Sequence, residues 1–292
     1  MEKNTVANVL SQFTKRFSTI IFDLDNTLIA TRKADLKTCN KLSSILQTKY
    51  NVPNETATEI TSSYLHNFRQ CPDNTDVSLD VWRQHLWSQA LSHKYNYLTQ
   101  DIYQKWLELR YKYLELKPDT IGLLQSLRSC YHLAIITNGP SNAQWEKINR
   151  LHLTNLFDCI LVSGDLPWEK PMAEIFYAAC NHMGVQPSQC VMIGDKLETD
   201  IQGANVARIG CSVWMPLNRD TTNPNSQIKP DFTIFDLKDL LNILPISTIC
   251  HRDSAVTRTR RNSGTNKRST HQLLRIPDLD LDNGNSNSSD GS

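Results

Sequence analysis

Ile21-Phe22-Asp23-Leu24-Asp25-Asn26-Thr27-Leu28 is the stretch that decides the fold of this 292-residue chain. The apolar run over residues 19–22 predicts a buried strand, and two aspartates follow it with one residue between them. Residues two apart along a strand point to the same side, so Asp23 and Asp25 can converge at its carboxyl end, where open α/β sheets bind ligands. Two carboxylates at so short a distance repel each other and need a cation or a shared proton. The stretch therefore predicts a metal site with covalent chemistry, although an isolated pair of this kind would more simply be a surface turn.

The composition argues against several function classes. Lysine and arginine together number 31 and aspartate and glutamate 30, so bulk charge predicts neither a nucleic-acid partner nor a membrane surface. No apolar stretch is long enough to span a bilayer, and residues 1–18 lack the apolar centre of a signal peptide. The 8 cysteines are scattered, with no pair at CxxC spacing. We therefore expect a reduced, cytoplasmic protein.

The order of predicted elements indicates an α/β fold with an insertion. Residues 33–116 show helical spacing and almost no β-rich run, whereas short apolar runs alternate with helical segments from residue 118 onward. The later strands are predicted at residues 132–137, 158–163, 190–194, 212–215 and 232–235, and the helices among them at residues 141–151, 173–183 and 199–207. Such alternation implies a Rossmann-like parallel sheet with helices on both faces. Residues 18–32 and 117–248 would form this α/β catalytic core, and residues 33–116 an inserted all-helical cap.

The two ends of the chain differ in composition from the rest. Residues 1–17 are predicted as an N-terminal extension, and residues 249–292, rich in Ser, Asn, Arg and Asp, as a disordered polar tail. The tail's basic stretch is either a solvated linker, a nuclear address or a segment that a kinase recognises at Ser263. Its basic residues are Arg258, Arg260, Arg261, Lys267 and Arg268. The sequence identifies no protein partner for this tail.

Three further polar signals follow predicted core strands. Thr137 and Asn138, before Gly139, end one strand with groups that can donate hydrogen bonds to a phosphoryl oxygen. Lys170 follows another strand and can offset the charge of a nucleophile and a phosphate. Asp195 closes a third strand, where a buried acid is costly unless it is paired or bound to a cation. Each signal is weak or moderate alone, and their specificity lies in their order.

Asp200 follows five residues after Asp195. It either belongs to the same site or is an acidic residue in the first turn of a helix, where the helix dipole favours it. Together with the opening stretch, these elements resemble the four motifs of the haloacid dehalogenase superfamily. The resemblance covers about residues 18–245, which is everything but the two ends.

A closer resemblance is to the N-acylneuraminate-9-phosphatase family. It rests on Ile136-Thr137-Asn138-Gly139, Glu169-Lys170-Pro171, Ile175-Phe176-Tyr177, Gly184-Val185-Gln186-Pro187 and the runs at residues 191–195 and 197–203. A short match, Leu46-Gln47-Thr48-Lys49-Tyr50, lies in the predicted cap. Because the cap is where such enzymes choose their substrates, this last match bears on specificity.

The resemblance implies a phosphatase with a covalent intermediate. Asp23 would attack phosphorus and form an aspartyl phosphate, while Asp25 would protonate the leaving oxygen and then activate the hydrolytic water. Mg²⁺ would be held by the Asp23 carboxylate, the Asp25 main-chain carbonyl and the Asp195 carboxylate. Asp200 would orient these ligands from behind. The phosphoryl group would be bound by the amides of Leu24 and Asp25 and by Thr137, Asn138 and Lys170.

The acid at position 25 narrows the reaction within the superfamily. Relatives that cleave carbon–halogen bonds lack an acid there and ion-pumping ATPases carry threonine, so phosphatase and phosphomutase remain. The resemblance implies a small sugar-phosphate substrate, N-acylneuraminate 9-phosphate, and a role in sialic acid biosynthesis. The alternatives are a phosphatase for another small phosphate metabolite and a catalytically weak binding protein of the same fold.

Three positions depart from the pattern of the sialic-acid phosphatases. Ala30 stands where aspartate is usual, near the expected hinge between core and cap. Pro140 replaces an aspartate after the Thr-Asn-Gly turn, and Lys196 replaces a small hydroxyl residue after Asp195. The charge of Lys196 would either weaken the metal or add a phosphate contact. None of the three removes a catalytic group, and together they bear on the identity of the substrate.

Overall fold

A computed structural model of the protein describes residues 17–70, 77–219, 227–244 and 246. Almost all of the predicted N-terminal extension and the whole tail over residues 249–292, with its basic stretch and Ser263, lie outside the described residues. Along the described part of the chain, no helix combines the length and apolar character that crossing a membrane requires.

Six parallel strands form one sheet in the order β3-β2-β1-β4-β5-β6. The strands are β1 (Thr19–Phe22), β2 (His132–Thr137), β3 (Cys159–Val162), β4 (Cys190–Gly194), β5 (Cys211–Trp214) and β6 (Phe232–Thr233). β1 lies between β2 and β4, with Phe22 opposite Ile135 and Ile193. This register brings the polar residues that follow these three strands to one edge of the sheet.

Helices cover both faces of the sheet, as the alternation of elements predicted. The core helices are α5 (Pro118–Arg128), α6 (Ser141–Arg150), α7 (Ala173–Met183), α8 (Gln202–Val206) and α9 (Leu240–Ile243). Ile20 and Phe22 point into an apolar cluster that includes Leu124 of α5. Ile21 points into the opposite cluster, which includes Phe176 of α7. Because successive strand residues face opposite sides, a strand buried on both faces reads as the continuous apolar run seen in β1.

Over its described residues, the insertion between β1 and α5 consists of helices joined by loops. It contains α1 (Thr31–Tyr50), α2 (Asn54–Phe68), α3 (Leu79–Tyr95) and α4 (Thr99–Leu114). These helices enclose an apolar cluster of their own, in which the rings of Tyr64 and Trp87 stack with centroids 3.7 Å apart. The fold is therefore the predicted α/β core with an inserted helical cap. The limits proposed for the domains, at residues 32/33 and 116/117, stay a prediction.

Two local elements differ from the sequence prediction. A single helix was expected over residues 199–207, but the chain forms a π-helical turn over Leu197–Ile201 before α8 begins. The side chain of Asp200 accepts a hydrogen bond from the Lys196 N–H at 2.9 Å, which holds this wider turn. β6 is also shorter than the predicted run over residues 232–235 and lies at the sheet edge.

Candidate active site

The predicted site residues meet at the carboxyl edge of β1, β2 and β4. Most of them line a cavity of about 160 Å³. Its lining residues are Asp23, Asp25, Asn26, Arg32, Thr137, Asn138, Lys170, Asp195, Lys196 and Thr199. Leu24 and Asp200 are not among them. The Leu24 side chain is fully buried in the core, so its expected contribution is confined to the backbone amide. Asp200 is 1% exposed and is ion-paired with Lys170.

Lys170 is the centre of the site's ion pairs. Its Nζ lies 2.6 Å from Asp23 Oδ1 and 2.8 Å from Asp200 Oδ1, and it donates to the Ile136 carbonyl at 2.8 Å. Only 2% of Lys170 is exposed. Burial disfavours its charge, but Asp200 and Asp23 outweigh that effect and raise the pKa of Lys170 above its usual value. Lys170 is therefore a fixed positive charge beside the expected nucleophile.

Asn138 fixes the loop that carries Lys170. Its Nδ2 donates to the Lys170 carbonyl at 2.8 Å, and the Lys170 N–H donates to Asn138 Oδ1 at 2.9 Å. Both ends of the Asn138 amide are thus used on the backbone of Lys170. The structure adds this positioning role, and the phosphate contact expected of Asn138 stays a prediction.

Three buried acids are close enough to share a cation. One carboxylate oxygen from each of Asp23, Asp195 and Asp200 lies within 4.8 Å of the other two. Both Asp200 oxygens already accept hydrogen bonds or ion pairs, from Lys170 and from the Lys196 N–H. The Asp195 carboxylate, in contrast, accepts no hydrogen bond from any described residue. Asp195 and Asp23 therefore have the coordinating oxygens to spare.

The electrostatics of these acids match a site built for a cation. Burial, opposed by Lys170 and reinforced by Asp200, raises the pKa of Asp23 to about 7. Burial, followed by the charge of Asp200, raises the pKa of Asp195 to about 6. Both carboxylates are thus costly to ionise until a positive charge joins them.

Gly194 and Trp214 set the positions of the two acids after β4. A Cβ on Gly194 would come within 2.3 Å of the Asp200 carboxyl group, so only glycine lets this side chain approach the strand. The indole N–H of Trp214 donates to the Asp195 carbonyl at 2.9 Å. The acids are thereby placed by the end of the strand and by its neighbour β5.

Thr137 supplies a free hydroxyl to the floor of the cavity. The residue is 1% exposed, and its buried Oγ1 has no hydrogen-bond partner among the described residues. A buried hydroxyl without a partner is costly unless a ligand completes it. An oxygen of a bound phosphoryl group would do so.

The Asp25 carboxylate accepts hydrogen bonds from three side chains that the sequence did not predict at the site. Lys147 Nζ lies 2.7 and 2.5 Å from its two oxygens, Gln144 Nε2 donates at 3.0 Å and Thr31 Oγ1 at 2.5 Å. Burial acts to raise the pKa of Asp25, but the charge and hydrogen bonds of Lys147, with those of Thr31 and Gln144, hold it well below its usual range. Asp25 is therefore an ion-paired carboxylate.

A weak sequence signal for two of these residues lies in the helical period. Gln144 and Lys147 are three residues apart, and Ile148 completes the same helical face, so a buried face of α6 contains two polar residues. The partner, Asp25, lies 122 residues before Lys147 in the chain. Only the folded chain shows that they meet.

The chain was compared with protein families, known proteins and solved structures. A model of the haloacid dehalogenase-like hydrolases matches residues 20–213. Human N-acylneuraminate-9-phosphatase is 33% identical over 210 residues, which are 70% of this chain and 84% of that protein. The glyceraldehyde 3-phosphate phosphatase of Pyrococcus furiosus is 29% identical over 238 residues, 79% of this chain and 94% of that protein.

A solved structure gives the same architecture. The HAD-hydrolase YfnB of Bacillus subtilis, bound to magnesium, superposes with a TM-score of 0.53 at 26% identity. The match covers 79% of this chain and 100% of that one. The sheet with its helical insertion is thus shared with a solved hydrolase.

Proposed function

The chain belongs to the haloacid dehalogenase-like hydrolases and is a phosphatase, and from this premise we propose that it is a Mg²⁺-dependent enzyme that works through an aspartyl phosphate. The observation that carries the proposal is the grouping of Asp23, Lys170 and Asp195 around one cavity with the unpartnered hydroxyl of Thr137. Phosphoryl transfer needs a nucleophile, a fixed positive charge, a metal ligand and a free hydrogen-bond donor, and these residues supply them.

In the first half-reaction Asp23 is the nucleophile. Its Oδ1 is held by Lys170, and no described residue donates to Oδ2. A carboxylate oxygen forms a bond to phosphorus while the bond from phosphorus to the leaving oxygen breaks, and Asp25 gives that oxygen a proton. Thr137 and Lys170, with the Leu24 and Asp25 amides, hold the phosphoryl oxygens. Because Asp25 is ion-paired with Lys147, this contact must loosen before Asp25 can carry the proton.

In the second half-reaction water attacks phosphorus. Asp25 takes a proton from the attacking water, the bond between Asp23 and phosphorus breaks, and orthophosphate leaves. The same carboxyl group thus acts as an acid and then as a base, so the cycle restores its proton. Lys170 keeps the released Asp23 carboxylate paired throughout.

The acids around the cavity fit a magnesium ion. Asp23 and Asp195 offer carboxylate oxygens, the Asp25 main-chain carbonyl would complete the protein ligands, and oxygen ligands of this kind are what Mg²⁺ prefers. When bound, Mg²⁺ would neutralise charge on the phosphoryl oxygens and lower the repulsion that Asp23 meets on approach. Asp200, held by Lys170 and by the Lys196 N–H, would keep Asp195 and Lys170 in place.

The proposed substrate is N-acylneuraminate 9-phosphate, in cytoplasmic sialic acid biosynthesis. The identity to human N-acylneuraminate-9-phosphatase spans 84% of that protein, which is long enough to include a cap as well as a core. The glyceraldehyde 3-phosphate phosphatases support the broader substrate class, a small phosphate monoester. The departures at Ala30, Pro140 and Lys196 make a panel of substrates essential to the test.

Phosphate release from N-acetylneuraminate 9-phosphate, measured with and without Mg²⁺, tests the proposal. We expect Mg²⁺-dependent turnover, a higher kcat/KM than for glyceraldehyde 3-phosphate or common hexose phosphates, and a loss of more than about 10³-fold in kcat for Asp23→Asn. Asp119→Asn, an exposed acid outside the cavity, is the matched control. Turnover in Asp23→Asn comparable to that of the wild type would show that Asp23 is not the nucleophile. A higher kcat/KM for another phosphate would replace the substrate and keep the chemistry.

A further inference from the structure

Two cations at the mouth of the cavity have no part in the mechanism proposed above. Arg32, in the first turn of α1, and Lys196, directly after Asp195, both line the cavity. Both are exposed, whereas Thr137 and Lys170 are 1% and 2% exposed. The cavity therefore has a buried floor that can take a phosphoryl group and an open mouth with two positive charges.

Neither charge is used to hold the described fold together. Across residues 17–70, 77–219, 227–244 and 246, the head groups of Arg32 and Lys196 make no ion pair and no hydrogen bond. Only their backbones are fixed: the Arg32 N–H donates to Asn26 Oδ1 and the Lys196 N–H to Asp200 Oδ2, each at 2.9 Å. These bonds anchor both residues to the site and leave their charges available to a ligand.

The two charges act on the same region of the site. Arg32 and Lys196 line the same cavity as Asp195, so both charges border the space that a ligand would occupy. Arg32 also lies at the start of a 20-residue helix whose first turn holds no acidic residue. A cation there is disfavoured by the helix dipole, so its position is not explained by the stability of α1.

We propose that Arg32 and Lys196 form a second anion site at the mouth of the cavity, and that the substrate carries a further carboxylate or phosphate on its leaving group. The transferred phosphoryl group occupies the floor beside Thr137 and Lys170, so only the leaving group reaches the mouth. This inference rests on the proposed function, because it takes the floor as the phosphoryl site. An N-acylneuraminate leaving group, which carries a carboxylate, satisfies the condition, whereas a neutral sugar leaving group does not.

Binding of unreactive phosphonates in the presence of Mg²⁺ tests the second anion site. Isothermal titration compares two ligands that carry a second anion with butylphosphonate, whose only anionic group is its phosphonate. The two ligands are 3-phosphonopropionate, which adds a carboxylate, and propane-1,3-bisphosphonate, which adds a phosphonate. We expect the better of these two ligands to bind about tenfold more tightly than butylphosphonate, the scale of one charge-assisted contact. The better ligand identifies which anion the site takes.

The variants assign this preference to the two cations. In Arg32→Gln/Lys196→Gln the affinity ratio should fall to about 1 through weaker binding of the charged ligand alone. Lys33→Gln, a neighbouring exposed lysine that does not line the cavity, should keep the wild-type ratio. An unchanged ratio in the double variant overturns the inference. So does an equal loss for all the phosphonates, which would place the cations on the transferred group.

A parallel assay separates this inference from the proposed function. If the wild type releases phosphate from N-acetylneuraminate 9-phosphate but binds phosphonates with and without a second anion equally, the second anion site is wrong and the phosphatase assignment stands. If no phosphate is released from any substrate of the panel, the proposed function fails, and the phosphonate ratio still decides the anion site. Failure of every phosphonate to bind refutes the anion site.

Discussion

Lys147 changes what is required of Asp25. A lysine that contacts both oxygens of a carboxylate at 2.5 and 2.7 Å stabilises its charged form. A general acid, however, must hold a proton when the leaving oxygen departs. The contact therefore positions Asp25 but disfavours its protonated form, so it has to be relaxed during each turnover.

Replacing Lys147 separates leaving groups that need a proton from those that do not. Lys147→Met should lower kcat/KM for an alkyl phosphate about 10- to 100-fold, because Asp25 loses both of its lysine contacts and its orientation. The kcat/KM for p-nitrophenyl phosphate should change less than about threefold, since that leaving group departs without protonation. Steady-state kinetics on both substrates measure the difference.

Lys147→Arg is the control because it keeps the charge and can keep the contact. It should recover part of the alkyl phosphate activity. An equal fall for both substrates in Lys147→Met would show that Lys147 supports the structure or the phosphoryl group rather than the acid role of Asp25.

The residues that the sequence made predictable are those whose signal is local. Asp23 and Asp195 each follow an apolar strand directly and Thr137 ends one, so the strand pattern alone brings them to one edge of the sheet. Lys147 and Arg32 carry no such mark. Lys147 lies inside a helix and meets its partner across 122 residues, and Arg32 is one of several exposed basic residues at the start of α1. Their relation to the site depends on tertiary packing.

At the scale of elements, α6 connects the catalytic edge with the helical cap. Lys147 on α6 contacts Asp25, while the preceding residue, Glu146, pairs with Arg83 of α3 at 2.6 Å. Arg83 is 2% exposed, and within the described part of the chain two of its guanidinium nitrogens, Nε and Nη1, have no hydrogen-bond partner. A buried charge of this kind depends strongly on its counter-ion.

The same change, glutamate to glutamine, compares the contribution of the Arg83–Glu146 pair to stability with that of an exposed ion pair. Glu146→Gln should lower the free energy of unfolding by about 2–3 kcal/mol, because it leaves the buried Arg83 uncompensated. Glu108→Gln removes the acid of the Lys105–Glu108 pair, whose side chains are 41% and 62% exposed, and should cost less than about 0.5 kcal/mol. Urea denaturation followed by circular dichroism measures both. Equal effects would mean that the Arg83–Glu146 pair adds nothing beyond a surface contact.

Element limits were predictable where chain geometry is regular. β1, β2, β4 and α7 have the predicted limits because apolar runs and helical periods end at clear polar or glycine residues. The π-helical turn over Leu197–Ile201 was not predictable, since it depends on a hydrogen bond from the backbone of Lys196 to the Asp200 side chain. Wider turns of this kind often occur at functional sites.

In the whole molecule, the sheet topology brings together acids whose ionised forms destabilise the folded chain when no cation is bound. Asp23 follows the central strand and Asp195 and Asp200 follow its neighbour, so folding buries three carboxylates beside one lysine. Their repulsion and desolvation oppose folding, and a bound cation would reverse this. Metal binding and folding stability should therefore be coupled.

Thermal unfolding at pH 7.5 measures this coupling. Mg²⁺ at ten times its Kd should raise the Tm of the wild type by about 3–6 °C, since binding to the folded state alone contributes roughly 1.4 kcal/mol. Asp195→Asn should lose this shift because it removes a metal ligand.

Without metal, the same variant should be at least as stable as the wild type. Burial and the charge of Asp200 raise the pKa of Asp195 to about 6, so its carboxylate is costly to keep ionised at pH 7.5, and asparagine removes that charge. Glu59→Gln, an exposed acid on α2, should keep the Mg²⁺ shift. A full Mg²⁺ shift in Asp195→Asn would show that Asp195 is not a metal ligand. A lower Tm for the metal-free variant than for the metal-free wild type would show that the Asp195 carboxylate stabilises the fold without a cation.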